Sequence, residues 1–452
     1  MSVDATSMIV DHTRVGAAFR RLSLPVAVQL LGDQLLGTVD TIAIGSMGTI
    51  ALAGATAANT IFIAIVFTIS GFLSGTSLVA AQRIGAADVE GFARTVRAGV
   101  VVPLLVGALA FALSLVAAPQ AIHALVGTLP SAHASAAYLV LRCASIFPIV
   151  VSGTLIVGLG AAGNRQIGVL VLLIVNLVHI PLLLMLGLGW WTHHPLGIAG
   201  AGISSLLSET IAACYAVYYA ARRPEYRIFA DRRISLSLAH RCAKLGFPEA
   251  IFLLGVTVPD IFIVAMLAPL GAIAVAAFRA LNVVSDLTFV VPSPLQSATQ
   301  IVIGQRLGAR DPSGARAFFE RALRFSLVVT TITGALTAAL AWPLAFLFTL
   351  DAAVASLAAL PLALHMVTLP LKGWAMVALS PIRASGDTRF SMTVGLLCSA
   401  LVIPLAWIGI ERLHLGLYSV ALGWIVAWSV RALLTQWKLR DGAWMRRAPL
   451  AA

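Results

Sequence analysis

Residues 82–88 read Gln-Arg-Ile-Gly-Ala-Ala-Asp, and residues 305–311 read Gln-Arg-Leu-Gly-Ala-Arg-Asp. The shift that takes Gln82 to Gln305 also relates five further pairs: Gly48 and Gly271, Asn59 and Asn282, Gly163 and Gly386, Asn164 and Asp387, and Pro181 and Pro404. One register held over such distances is hard to obtain by chance from a chain rich in Ala and Leu. The chain therefore contains an internal repeat.

The composition around this repeat is that of a membrane protein. Of the 452 residues, 60% are hydrophobic and only 11% are charged. Soluble proteins carry about 25% charged and about 45–50% apolar residues. This chain lacks the polar side chains to cover a surface that faces water. A soluble domain, a disordered chain and a nucleic-acid-binding module are therefore disfavoured, despite the net charge of +12.

Apolar stretches broken by Gly, Pro or charge clusters predict twelve transmembrane helices, because one span needs roughly 20 apolar residues. The six predicted spans of the first half are 22–46, 50–80, 97–118, 135–160, 166–189 and 196–221. Those of the second half are 244–267, 271–303, 322–349, 354–382, 390–410 and 416–437. Six spans per half give the two copies the same orientation. We therefore expect parallel repeats with a cavity between two lobes, an architecture that suits alternating access.

The most polar internal segment divides the chain into domains. We predict an N-lobe over 1–221, a basic linker over 222–243, a C-lobe over 244–438 and a tail over 439–452. Lys and Arg concentrate in the linker, at both termini and after the even-numbered spans, whereas Arg412 is an exception after an odd one. The positive-inside rule then predicts that both termini and the linker are cytoplasmic.

The basic residues Arg14, Arg20 and Arg21 precede the first apolar run. This run is longer than that of a signal peptide and is followed by many more spans. It therefore predicts an uncleaved first helix. We expect a multi-pass protein of the cell (inner) membrane.

The sequence resembles the multidrug and toxic compound extrusion (MATE) family, with NorM-like and DinF-like features. In the first half the matching residues are Leu24-Pro25, 39–45, 48–53 and 82–88, Asn176 and Pro181. In the second half they are 246–248, 267–271, 305–311 and 383–388. The resemblance implies an exporter of organic, often cationic and amphipathic compounds that is driven by protons or sodium. Related transporters of the wider superfamily flip lipid-linked sugars, which gives the alternative function.

Ionisable groups inside a membrane are costly, so they are candidates for function. Span 1 carries Asp33 and Asp40, which are seven residues apart and share one helix face. Asp40 matches the family's span-1 carboxylate, which takes part in ion coupling. A buried carboxyl group could hold a proton until water reaches it, so that a proton and a cationic compound compete for one charge. The alternative is a hydrogen-bond anchor that never changes protonation.

The resemblance also implies partners for Asp40. Asn176 and Tyr138 match polar residues of the family's N-lobe network, and Pro25 matches a proline at which span 1 can bend. Ordinary interhelical hydrogen bonding is the alternative for the first two. An acidic residue that several members carry four positions after the asparagine is Ile180 here. Glu209 could supply the missing carboxylate from span 6.

In the C-lobe, a span-7 glutamate used by one branch of the family is replaced by Val256, which disfavours a sodium site of that type. Asp260, Arg279 and Asp286 either form a neutralised buried pair or line the cavity and bias substrate choice. We expect Asp387 to cap a helix beside Arg383. The two Gln-Arg-x-Gly-Ala motifs are predicted to end helices, with Gly85 and Gly308 as caps.

The sequence thus predicts a secondary antiporter that exports small amphipathic or cationic organic compounds. Protons are preferred over sodium because Asp40 is present and the span-7 glutamate is not. No Walker motif, HExxH motif or nucleophile elbow is found, so an enzyme is disfavoured. We expect a monomer in the lipid bilayer, with a small organic substrate, no cofactor, no metal, no nucleic acid and no ATPase subunit.

Overall fold

The computed structural model describes residues 15–126, 132–191, 193–348 and 351–447, and all of their regular secondary structure is helical. The helices of the first half are α1 (Val15–Ser46), α2 (Thr49–Gly85), α3 (Val89–Gly99), α4 (Val101–Val126), α5 (Ala132–Ala161), α6 (Gln166–Leu182) and α7 (Gly197–Ala221). They are followed by α8 (Leu236–Gly255), α9 (Val258–Leu267), α10 (Ala272–Thr288), α11 (Pro292–Gly308), α12 (Pro312–Ala339) and α13 (Ala341–Phe348). The last five are α14 (Ala352–Met366), α15 (Thr368–Ala384), α16 (Thr388–Trp407), α17 (Leu417–Leu439) and α18 (Ala443–Arg446).

Eleven helical stretches among the described residues are long and apolar enough to cross a membrane. A twelfth is obtained if α14 and α15, which meet at a bend of 41°, form one span. The predicted all-helical membrane fold is confirmed. The bend has a local cause, because Pro370 has no N–H for the carbonyl of Met366 and its ring crowds that carbonyl. The sequence predicted this tenth span as one unbroken stretch.

Several spans extend beyond their predicted starts. The third apolar stretch begins at Val89, because α3 is amphipathic and continues into α4. Phe92 and Val96 are buried on one face of α3, whereas the Arg97 guanidinium donates 2.8 Å to the Ile228 carbonyl. The first helix begins at Val15, and Arg14 lies outside the described residues. Hydropathy alone misses such helix starts, because charged residues on one face of the helix lower the mean hydropathy of the segment.

The contacts divide the chain into two units. One contains Leu24–Ala250, and the other contains Ile251–Ala452 together with the described part of Val10–Ser23. In the second unit, Phe19 stacks on Phe325 with ring centroids 4.9 Å apart, and the Ser23 hydroxyl donates 3.2 Å to the Pro294 carbonyl. The boundary between Ser23 and Leu24 lies close to Pro25, and the boundary between Ala250 and Ile251 lies close to Pro248. Each proline is in the first helix of its repeat.

The repeat is visible in the backbone. Gly48 and Gly271 precede α2 and α10 with φ of 118° and 101°, a conformation that only glycine adopts without strain. The two aspartates of the repeated motif cap the next helices: Asp88 accepts from Gly91 N–H at 2.7 Å, and Asp311 accepts from Gly314 N–H at 2.8 Å. Asp88 also binds Arg83 at 2.6 Å, and Asp311 binds Arg306.

The prediction that Gly85 and Gly308 cap these helices is wrong. Both are the last helical residues, and the left-handed positions are Ala87 and Arg310, with φ of 56° and 57°. The adjoining aspartate caps and arginine pairs hold the turn, so that a non-glycine residue is tolerated there.

Candidate functional site

The interior of the first half contains a hydrogen-bonded pair of titratable side chains between α1 and α6. His179 Nε2 lies 2.7 Å from Asp40 Oδ1. The imidazole is 2% exposed, and the carboxylate side chain is 22% exposed. This distance is that of a hydrogen bond between the imidazole ring and the carboxyl group. Asp40 is thus held by a second titratable group inside the membrane-spanning part of the chain.

Close approach of α1 and α6 positions this pair. Gly32 lies two turns before Asp40, and a Cβ at position 32 would overlap the side chain of Leu172 on α6. A Cβ at Gly168 on α6 would likewise lie 2.7 Å from Oε1 of Gln29 on α1, so a glycine on each helix permits the close approach.

The hydrogen bond of Asn176 lies within its own helix. Its side-chain amide donates 2.9 Å to the carbonyl of Leu172, one turn back on α6. This bond stays within α6, so it is not the interhelical hydrogen bond that was the alternative for this residue. The hydrogen-bond partner of Asp40 is His179, three residues later.

The two other acidic candidates lie near the pair. Glu209, on α7, is partly buried and lies within electrostatic range of Asp33, His179 and Arg142. Asp33 is exposed on α1. The structure thus brings three carboxylates of the predicted set into one electrostatic neighbourhood around His179.

Arg142, on α5, is the cation of this neighbourhood. Its guanidinium stacks on the Phe62 ring at 3.8 Å, and it donates 3.2 Å to Ser205 Oγ and 3.4 Å to Asn59 Oδ1. Tyr138, one turn earlier on α5, is 3% exposed and within electrostatic range of both Arg142 and Asp40.

The close packing of α5 against α7 supports this arrangement. A Cβ at Gly202 would lie 2.9 Å from the Leu141 side chain and 3.3 Å from the Tyr138 ring. Only glycine therefore permits this approach.

Pro25 lies inside α1, which runs unbroken from Val15 to Ser46. Its missing N–H leaves a backbone carbonyl of the preceding turn without its helical partner. This position can therefore bend at low cost, although the helix is continuous here.

In the second half, the three predicted residues do not form a neutralised buried pair. Arg279 and Asp286 are exposed on α10, and no ion pair within 4.0 Å joins them in the described part of the chain. Asp260, on α9, is hydrogen-bonded to Asn282 and lies within electrostatic range of the other two. The three side chains remain close enough to affect one another.

Asp387 acts as a helix cap, as predicted. Its Oδ1 accepts from the Phe390 N–H at 3.3 Å. Its Oδ2 binds Arg447 at 2.8 Å and Lys438 at 3.4 Å. This carboxylate joins the start of α16 to the last residues of the described chain, which is a structural role.

Sequence reasoning missed several ionisable residues in the spans, among them Arg142, His179, His365, Lys372 and Arg431. All of these are in helices that belong to candidate spans. The rule that an ionisable group in a span is a candidate for function would have found them.

Known proteins match nearly the whole chain. A sequence model named MatE matches residues 25–185 and 248–408, two segments displaced by the same shift as the repeat. A probable multidrug resistance protein NorM of Aromatoleum aromaticum is 30% identical over 363 residues, which cover 77% of this chain and 76% of that protein. One of Mannheimia succiniciproducens is 26% identical and covers 92% of each chain.

Solved structures share the fold. A MATE crystal structure in the bent conformation is 21% identical, with a TM-score of 0.88 over 99% of each chain. A transporter of the MOP superfamily from Pyrococcus furiosus, described as having a binding pocket of reverse polarity, is 20% identical. Its TM-score is 0.89, over 99% of this chain and 100% of that one. A multidrug resistance transporter in the outward-facing conformation gives a TM-score of 0.86 at 20% identity, over 98% and 99% of the two chains.

Proposed function

The chain belongs to the MATE family of membrane transporters, and from this premise we propose that it is a secondary active antiporter that exports small organic compounds in exchange for protons. The compounds are amphipathic or cationic, and the cycle is alternating access. Family membership makes it a transporter of small organic compounds and not an enzyme. The coupling ion and the substrate charge are the parts that we propose.

The contact between Asp40 and His179 carries the proposal for protons. A carboxylate and an imidazole whose atoms lie 2.7 Å apart can gain or lose one proton as a pair, without any other group moving. A proton that enters from water neutralises the carboxylate and weakens its attraction for a cation. A cationic substrate and a proton would then exclude one another at Asp40, which is the requirement for antiport.

The geometry favours protons over sodium for a second reason. Sodium is a hard cation that prefers oxygen ligands, whereas Oδ1 of Asp40 is bonded to a ring nitrogen. In the second half, Val256 offers no carboxylate for a sodium site.

We further propose that the carboxylates of Asp33 and Glu209 receive the positive charge of the substrate. Glu209 replaces the acid that is absent at Ile180, because it reaches the neighbourhood of His179 from another helix. Tyr138 and Asn176 shape the polar side of this region, and bending of α1 at Pro25 rearranges it during the cycle.

The direct test uses purified protein in liposomes. Ethidium uptake is measured under an imposed proton gradient, for the wild type and for Asp40→Asn. We expect uptake by the wild type and its loss in the variant. Asp231→Asn is the matched control because Asp231 is an exposed linker carboxylate, with 48% of its side chain accessible. Uptake driven by a sodium gradient at clamped pH, without any response to protons, would contradict proton coupling.

A flippase for lipid-linked saccharides is the second candidate. Such a substrate carries a diphosphate, and the structure adds three inward cations, Arg142, Lys372 and Arg431, to the exposed Arg279. If the wild type transports ethidium under neither gradient, movement of a lipid-linked precursor across the liposome membrane is the decisive assay.

We also propose that the transporter acts as a monomer in the inner membrane, without an ATPase subunit, and that both termini and the linker are cytoplasmic. The distribution of Lys and Arg supports this orientation. Labelling of single cysteines introduced at the linker would test it, because only reagents that cross the membrane should reach them in intact cells.

A further inference from the structure

The interior of the second half contains a triangle of polar atoms that the proposed function does not use. Lys372 Nζ donates 3.0 Å to Ser285 Oγ and lies 3.2 Å from His365 Nε2. The third side joins Ser285 Oγ and His365 Nε2 at 2.9 Å. Lys372 and His365 are each 2% exposed, and Ser285 is 7% exposed. The side chains come from three different helices, α15, α14 and α10.

The triangle is not a completed structural network. When Lys372 is an ammonium, His365 Nε2 accepts a hydrogen bond, and the ring proton is then on Nδ1. Nδ1 is buried and has no hydrogen-bond partner among the described residues. The other tautomer leaves the same atom as an acceptor without a donor. A polar cluster that served stability alone would be expected to satisfy its buried atoms.

The charge of Lys372 has little direct compensation. Within the described residues, no carboxylate lies within 4.0 Å of its Nζ. The carboxylate that acts electrostatically on Lys372 is that of Asp286, which is exposed and follows Ser285 directly in the chain. Two aromatic rings also face the amine: Lys372 Nζ lies 4.7 Å from the ring centroid of Phe289 and 6.0 Å from that of Trp428. An intramembrane ammonium held in this way is costly and marks a functional group.

The titratable and charged groups around Lys372 come from several helices. α14 contributes His365, and α10 contributes Asp286 and Arg279, while Asp260 on α9 lies near both. α17 contributes Arg431, whose guanidinium lies 4.9 Å from the centroid of the Trp428 ring. α16 contributes the Cys398 thiol, which is close to Arg431. The other charges of α11, α12 and α16 lie near the loops at 309–311 and 385–387.

The triangle also spans the 41° bend between α14 and α15. His365 is in the last turn of α14, and Lys372 is in the second turn of α15. A change in this bend therefore changes the distance between the amine and the imidazole.

We propose that Lys372, His365 and Ser285 form a second proton-exchange site, which binds and releases one proton independently of the Asp40–His179 pair. In the loaded state Lys372 is an ammonium that donates to Ser285 Oγ and His365 Nε2. On release, one proton passes from Nζ to water, the amine becomes neutral, and no other bond is made or broken. Its role in driving transport depends on the proposed antiport, whereas proton exchange itself does not.

The test therefore uses no substrate. Proteoliposomes are adsorbed on a solid-supported membrane, and the charge displaced by a pH jump is measured. The background variant carries Asp33→Asn, Asp40→Asn and Glu209→Gln, so that the three acids assigned to the first site no longer titrate. We expect this variant to keep a transient charge, and we expect Lys372→Arg with His365→Gln to remove it. Arginine keeps the positive charge but does not release its proton, so a fixed structural charge would be preserved.

Lys244→Arg is the matched control, because Lys244 is an exposed lysine and should leave the signal unchanged. Ser285→Ala deletes one hydroxyl from the triangle and should shift the pH at which half of the charge moves. The proposal is overturned if the acid-silent background shows no displaced charge, if the added pair of substitutions leaves that charge intact, or if Ser285→Ala has no effect. A wild type that displaces charge but transports no compound would instead refute only the antiport proposal.

Discussion

The two halves of the molecule share one backbone register but place their interior charges differently. Asn59 and Asn282 are the same residue at equivalent positions of the repeat. Arg142, which stacks on Phe62, is equivalent to His365, which bonds to Ser285 at the position equivalent to Phe62. The position of Arg142 and His365 is therefore ionisable in both halves, but its partner is an aromatic ring in the first half and a hydroxyl group in the second.

The Asp40–His179 pair has no counterpart in the second half. The positions equivalent to Asp40 and His179 are Ile263 and Val402, both fully buried in an apolar cluster. This difference teaches that the repeat retains what the backbone requires, namely glycine turns and helix caps. An ionisable side chain at an interior position of a membrane helix is costly, so we expect it only in the copy where it serves a function.

The largest expected effect concerns this asymmetry. His179→Gln should abolish proton-driven ethidium uptake as completely as Asp40→Asn, because glutamine can hydrogen-bond to Asp40 but cannot titrate. Val402→Ile, at the equivalent position of the second half, adds one methylene and should leave uptake near the wild-type level. Uptake is measured in the same liposomes. Full activity of His179→Gln would show that the pair is only a structural contact.

An intermediate effect is expected at the last spanning helix of each half. Gly202→Ala, on α7, should lower the free energy of unfolding by about 1–3 kcal/mol, because the new Cβ would meet Leu141 at 2.9 Å. Gly423→Ala, on α17, should be neutral or slightly stabilising, because its nearest neighbours would be 3.5 Å away. Thermal unfolding of the purified variants would measure both. Equal effects of the two substitutions would contradict this difference in helix packing.

The smallest effect is expected at the repeated loop. The backbone N–H of Gly314, the Ser313 hydroxyl and Arg306 lower the pKa of Asp311, which outweighs the opposite effect of partial burial. A depressed pKa stabilises the fold above about pH 3.8, and this stabilisation is lost as the pH falls through the lower folded value.

Asp311→Asn keeps the cap and removes the ion pair, so its cost at pH 7 should be about 0–1 kcal/mol. The difference in melting temperature from the wild type should begin to shrink below about pH 3.8 and should vanish below the lower folded pKa. Asp88→Asn, at the same position of the first half, provides the comparison. A cost that stays constant down to acid pH would show that the ionised carboxylate has no part in it.

Much of the fold follows from the sequence alone. Apolar runs of span length predicted an all-helical membrane protein, and the single shift that takes Gln82 to Gln305 predicted its two repeats. The helix starts at Val89 and Val15 were missed, because amphipathic ends do not raise hydropathy. The bend after Met366 was missed because a proline in a span either bends the helix or is tolerated, and the surrounding packing decides between these outcomes.

For the candidate site, the sequence supplied the residues of the first half and the tertiary structure decided their partners. Asp40 was singled out as an acid within a span, but its contact with His179 depends on how closely α1 approaches α6 at Gly32. The Lys372 triangle joins residues up to 87 positions apart, on three helices. Composition and periodicity report what one helix buries, whereas contacts between helices depend on shape, which appears only when the helices pack together.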